Sequence, residues 1–182
     1  MRILKRIFFT LLALIVIVLI AGLFMDKNYA MEREVTVNIP KDSVFQYIKH
    51  LKNQDEFSVW NQKDPNSKRT FTGTDGEVGF IYTWDSSMDE VGAGEQEIKK
   101  ITEGERVDME LRFKRPFEST DYAYFITESV SPAQTKVKWG FTGTMPYPMN
   151  VMKPFMNMDE MMGKDLQAGL DKMKANLEKS ND

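Results

Sequence analysis

The segment FMNMDEMMGKDLQAGLDKMKANL, residues 155–177, decides the fold. Phe155, Met158, Met162, Leu166, Leu170, Met173 and Leu177 recur at spacings of three and four, which places them along one side of a helix of about six turns. Asp159, Lys164, Gln167, Asp171, Lys174 and Glu178 fall mostly elsewhere on that wheel. Gly163 and Gly169 each cost a helix about 1 kcal/mol relative to alanine. They mark close approach to a sheet or a small kink. Pro146, Pro148 and Pro154 punctuate the approach to this helix.

Upstream the period shortens to two, from Lys68 to Thr144. Phe71 to Thr74 ends one strand, and Val78, Phe80, Tyr82 and Trp84 share a face of the next. Residues 92–101 and 106–114 form a hairpin around Glu103-Gly104-Glu105, with Val107, Met109, Leu111 and Phe113 on one face. Residues 121–130 set Tyr122, Tyr124 and Ile126 on one face. Val137, Trp139 and Phe141 alternate with Lys136 and Lys138 in a strand with one wet side. Nearer the start, Val35, Val37 and Ile39 alternate in a first strand, ended by Pro40. Asp42 or Ser43 then caps a helix carrying Val44, Phe45, Tyr47, Ile48 and Leu51. A short helical turn is expected around 54–59 and a polar loop over 61–67. The order is strand, two short helices, about six strands, long helix. The antiparallel sheet must bury its apolar face, and the last helix is the element long enough to cover it.

Ile7 to Met25 contains nineteen positions without a charge. As a helix it extends roughly 28 Å, close to the ~30 Å hydrocarbon core. Arg2, Lys5 and Arg6 precede it, so residues 1–6 are expected in the cytoplasm, 7–25 across the membrane, 26–31 as a tether, and 32–180 as a domain in the periplasm or outside the cell. A cleaved signal peptide is the competing reading, but the apolar run is longer than the usual ~7–15 residues and small-x-small sites nearby fit poorly. With those three cations set aside, the remainder carries 21 basic against 27 acidic side chains, a net of −6. That acidity gives no footprint for nucleic acid and no polybasic patch for anionic lipid.

The absence of cysteine excludes disulfide scaffolds, thiolate metal sites and thiol nucleophiles. The single histidine, His50, excludes clusters of two or more imidazoles. It ends a helix and reads as a solvent-facing residue there. No phosphate loop is present, because the glycines at 73, 76 and 79 lack the lysine and helix that such a loop needs.

The soluble part, roughly Met31 to Lys179, resembles the START-like or SRPBCC superfamily, the polyketide cyclase/dehydrase and lipid-transport-like proteins of the Bet v 1-type helix-grip fold. The resemblance lies in the order of several short signatures. These are Val35-Thr36-Val37-Asn38-Ile39-Pro40 leading into Lys41-Asp42-Ser43-Val44-Phe45, then Trp60-Asn61, and Gly79-Phe80-Ile81-Tyr82-Thr83-Trp84. Gly92-Ala93-Gly94 and Thr135-Lys136-Val137-Lys138-Trp139 follow. It implies an α+β fold, a curved antiparallel sheet wrapped around the C-terminal helix, with a cavity between them for a hydrophobic molecule or lipid. Some relatives are cyclases or hydrolases and many only bind or carry. No universal catalytic residue exists to carry over, and no cofactor is implied.

On that reading Trp60, Phe80, Tyr82, Trp84, Phe113, Tyr124 and Trp139, with Met158 and Met162 from the helix, are the expected ligand-binding wall. Each also reads as ordinary core, since aromatics bury large areas without functional cause. The prolines and methionines between Pro146 and Pro154 suggest the entrance. Further readings stand beside carriage: an enzyme of the cyclase, dehydratase or hydrolase sort in the same cavity, a soft-metal module using the methionines clustered in the last quarter of the chain, and a protein-interaction module.

Overall fold

Alternation of large apolar and polar residues builds a seven-stranded, wholly antiparallel sheet in the computed structural model, which describes residues 2–179. Residue 1 and the expected domain end at 180 lie outside the described residues. Helix α1 is Arg2–Phe24. Strand β1, Asn28–Val37, follows, then helix α2, Lys41–Lys49, a 3-10 turn at Leu51–Asn53, and short helices α3, Gln54–Phe57, and α4, Val59–Lys63. Strands β2 (Lys68–Thr72), β3 (Ile81–Asp85), β4 (Ala93–Thr102), β5 (Arg106–Arg115), β6 (Ser119–Ser131) and β7 (Gln134–Thr144) precede a 3-10 segment at Met149–Phe155 and helix α5, Met158–Lys179. The sheet order is β1-β7-β6-β5-β4-β3-β2.

Helix α5 lies across the sheet near β1. Leu166, Leu170 and Met173 are fully buried, each contributing about 1.5–3 kcal/mol by leaving water. The two costly glycines have their reason here. A Cβ on Gly169 would stand 2.8 Å from the Trp139 indole, and one on Gly163 would overlap the Arg33 guanidinium. That guanidinium is paired with Asp159 at 2.7 Å, so the helix reaches the sheet where side chains are smallest. Phe155 is not part of the helix. It sits in the preceding 3-10 segment, 83% exposed.

Other expectations from the pattern are corrected too: Val78 lies in the β2–β3 loop, 61% exposed, and α2 begins at Lys41 with no side-chain cap from Asp42 or Ser43. The segment read as a tether is mostly strand, because β1 begins at Asn28 and pairs with Thr144, leaving only residues 25–27 between α1 and the sheet. In β6 the inward face is Asp121, Ala123, Phe125 and Thr127, not Tyr122, Tyr124 and Ile126. Tyr124 lies on the outer face over Gly140, where a Cβ would overlap its ring. Its hydroxyl donates to Glu32 at 2.6 Å and Arg106 stacks on it at 4.2 Å.

On the same outer face Arg112 bonds Glu95 and Glu97, each at 2.7 Å, and also Glu110. Hydrogen bonds from Lys114 and Arg112 hold the Glu95 carboxyl below its ordinary range, and those from Lys99 and Arg112 do the same for Glu97. Carboxyls depressed on folding contribute stability above their unfolded pKa and lose it as pH falls through the lower folded value. Arg112→Gln removes the shared cation and leaves three carboxylates together. The variant should melt several degrees below the parent at pH 7, and the gap should narrow toward about pH 3 as the depressed Glu95 and Glu97 carboxyls begin to take up protons. Melting curves at the two pH values check this.

Candidate functional site

Near the middle of the sheet the facing side chains do not meet, and a cavity of about 230 Å³ remains. Its strand side is Tyr82 and Trp84 from β3, Gln96 from β4, Leu111 and Phe113 from β5, Ala123 from β6, and Trp139 and Phe141 from β7. Trp60, Gln54, Ser58 and Asn61 close it from the short helices, and Met162 from α5. Trp84 can take its place because Gly94 lies beneath it. A Cβ there would stand 2.6 Å from the indole, whose Nε1 donates to the Val91 carbonyl at 3.2 Å. Shifts of register in the β4–β5 pairing at Ala93/Gly94 and at Ile98/Lys100 bend the sheet around the space.

All three tryptophans of the chain are in this wall. Of the expected residues, Trp60, Tyr82, Trp84, Phe113, Trp139 and Met162 line the cavity. Phe80, Tyr124 and Met158 do not. Phe80 is 1% exposed and stacks on Phe71 at 6.3 Å, ahead of β3, while Met158 packs against the core in the first turn of α5. No residue from 146–154 lines the cavity either. Its exposed lining is Lys63 and Glu90, so the mouth lies between the end of α4 and the β3–β4 loop rather than beside the prolines. The methionines do not gather: Met173 is in the core, Met162 faces the cavity, and Met149, Met152 and Met161 are exposed.

Two polar groupings interrupt the apolar wall. At one edge Tyr82 donates its hydroxyl to Asp55 at 2.6 Å. Asn61 donates to the same carboxylate at 2.9 Å, and Arg69 pairs with it at 3.3 Å. Burial, then the bond and the charge of Asp55, push the Tyr82 phenol well above its usual range, so it stays protonated and acts as a donor. Deeper in, Gln54 and Gln96 are 4% and 8% exposed, and both amide nitrogens point at the Met109 sulfur, at 3.8 and 2.9 Å. A thioether is a weak acceptor. Neither amide has another side-chain partner among the described residues. Elsewhere in the lining Ser67 Oγ is buried with no hydrogen-bond partner among the described residues.

The sequence missed these polar residues. Gln96 shares the inward parity of Ile98, and Gln54 stands one turn before Phe57, so periodicity could have shown both inside. His50 takes no part: its Nδ1 lies 2.7 Å from the Gln46 carbonyl at the end of α2.

A curved antiparallel sheet, a long C-terminal helix and a cavity between them define a helix-grip architecture. Residues 29–178 match the family model described as polyketide cyclase / dehydrase and lipid transport, and the chain belongs to that family. Among solved structures it is similar to norcoclaurine synthase from Thalictrum flavum, determined with dopamine and hydroxybenzaldehyde. The TM-score is 0.61 at 10% identity, covering 88% of this chain and 92% of that one. It is also similar to an uncharacterized protein from Rhizobium leguminosarum (TM-score 0.57, 12% identity, 85% and 97% covered). A third is a protein from Mesorhizobium loti (0.56, 13%, 83% and 98%). No protein of curated function matches the sequence.

Proposed function

We propose that the domain binds a small, largely apolar molecule of about one substituted ring, and that α1 holds it at a membrane. The observation that carries the binding reading is the size and lining of the cavity. An apolar void of about 150 Å³ accepts benzene, so 230 Å³ suits one ring with substituents, or a short acyl chain, and excludes a two-chain lipid. The half-satisfied amides of Gln54 and Gln96 favour a guest with one neutral polar group, such as a phenol or a carbonyl. An ion would be costly there, because no opposite charge lies in that part of the wall.

What supports retention of α1 is its fastening to the domain. Asn150, fully buried, donates to the Gly22 carbonyl at 2.6 Å and to that of Met25 at 3.4 Å, satisfying carbonyls at the end of the helix. Lys153 pairs with Asp26 at 2.8 Å and also bonds the Asn28 carbonyl. Removal of α1 would take away both carbonyls that the Asn150 amide bonds and uncover the segment that packs on Gly22.

Because every tryptophan faces the cavity, intrinsic fluorescence reports occupancy. Titration with 4-methylphenol should give saturable quenching, and palmitate should give none. Gln96→Leu should weaken the phenol about tenfold, the worth of one buried hydrogen bond, and leave toluene unchanged. Equal loss for both ligands would show Gln96 to be wall alone.

Catalysis of the cyclase or dehydratase kind is the second reading, favoured by the Asp55 carboxylate bonded to Tyr82 and Asn61 at the cavity edge. It requires a compound that Asp55→Asn binds and no longer converts.

A further inference from the structure

Antiparallel strands send their connections alternately to two ends of a sheet, and the register says which loop goes where. Asn28 pairs with Thr144, Phe113 with Ser119, and Asp85 with Ala93. The exit from α1, the β7–α5 connection, the β5–β6 turn and the β3–β4 loop therefore share one end. The loops at Val78 and Val130 lie at the other. The first end carries Met88, Phe117, Met149, Met152 and Phe155, exposed at 43%, 70%, 51%, 52% and 83%. It also holds the mouth of the cavity, beside Glu90.

We propose that this end rests in the surface layer of the bilayer, so that the cavity opens onto lipid. The inference rests on α1 being a retained anchor. Only residues 25–27 separate α1 from β1, a reach of roughly 10–11 Å when extended. The interfacial layer itself is about 5–8 Å thick on each side of the hydrocarbon. The Met149–Phe155 segment lies deeper still. Val151 packs against Gly22 and Asn150 bonds its carbonyl, and Gly22 belongs to the apolar run that ends at Met25. A contact at that residue places the segment level with the last turn of the span, about 4–5 Å inside its end. Gly22 permits this approach, since a Cβ there would overlap Val151. Exposed methionine and phenylalanine are costly in water and favourable at the acyl boundary, where such groups sit about 5–10 Å deep. The Lys153 amine, paired with Asp26, is placed at the polar margin of the layer.

The full chain contains no cysteine, so single substitutions give unique labels. Met149→Cys, Met152→Cys, Phe155→Cys and Phe117→Cys, with Val78→Cys and Val130→Cys for the opposite end, are each labelled with bimane. The chains are reconstituted in phosphatidylcholine vesicles containing acyl-brominated lipid, which avoids the repulsion an acidic domain feels from anionic lipid. The expected result is quenching at 149, 152 and 155 at least about twofold stronger than at 78 or 130, with 117 above both controls. Uniform quenching at all positions, in a chain that resists alkaline extraction, overturns the orientation and leaves the anchor standing. Release of the chain by alkaline extraction removes the anchor, and the orientation with it.

Discussion

Ala123→Phe abolishes ligand binding while the domain remains folded. Ala123 lies on the inner face of β6, 5% exposed, with Met109 and Phe141 opposite it on the neighbouring strands. Its methyl is part of the cavity lining. A phenyl ring at this point extends into the empty volume and occupies the space a guest would take. Filling a void differs from forcing atoms into packed core, which costs about 1–3 kcal/mol, so the melting temperature should move by only a few degrees. The effect on binding is far larger. One buried ring removes about 150–250 Å² from water, worth about 4–6 kcal/mol at 25 cal/mol per Å². Loss of that contribution weakens affinity by more than ~100-fold. Tryptophan fluorescence titration with 4-methylphenol reads it directly. An unchanged titration in a folded variant would mean that the ligand binds elsewhere.

Phe57→Ala should have the opposite profile, with stability collapsing first. Phe57 is wholly buried in α3, where the short helices, the sheet and α5 converge. Its ring centroid lies 6.0 Å from Tyr47, 6.2 Å from Phe125 and 5.7 Å from Trp139. Truncation leaves a second void adjoining the natural one, at a cost of about 3–5 kcal/mol. For a chain of this size that lowers Tm by roughly 6–20 °C. Trp84→Ala belongs with the binding class. Trp84 is only partly buried, makes one hydrogen bond and meets Phe113 at 5.6 Å, so it should lose ligand before it loses the fold.

The architecture was legible because its two periods are long and clean. The β4–β5 hairpin reads correctly because Val107 and Met109 alternate with charged residues that need water. The C-terminal stripe reads correctly from Met158 onward, and its glycines fall where Trp139 and Arg33 come close. The parity of β6 failed because its outer face carries the larger rings and its inner face is partly polar. The inner one carries Asp121, Ala123 and Thr127, and the outer one carries tyrosines. Size misled where fit decided: Tyr124 needs the bare backbone of Gly140, which lies on the outer face. The polar part of the cavity was harder to read. Gln54, Gln96 and Asp55 have the composition of solvent positions; spacing from Phe57 and Ile98 marks the two glutamines as inward, but nothing in the pattern places Asp55 at the cavity edge. The entrance lies elsewhere because exposed methionines near prolines look the same whether or not a pocket lies behind them.

The pairing of β1 with β7 also sets an order of events during synthesis. Strand β1 has no neighbour in the sheet except β7, so Asn28 waits for Thr144, and Val37 for Thr135. Helix α1 leaves the ribosome before the sheet does, yet the strand beside it stays single until β7 has been made. Closure over such a separation is entropically slow. The nascent domain therefore passes through a period with an unmatched β-edge, the interval in which pairing with another chain is least opposed.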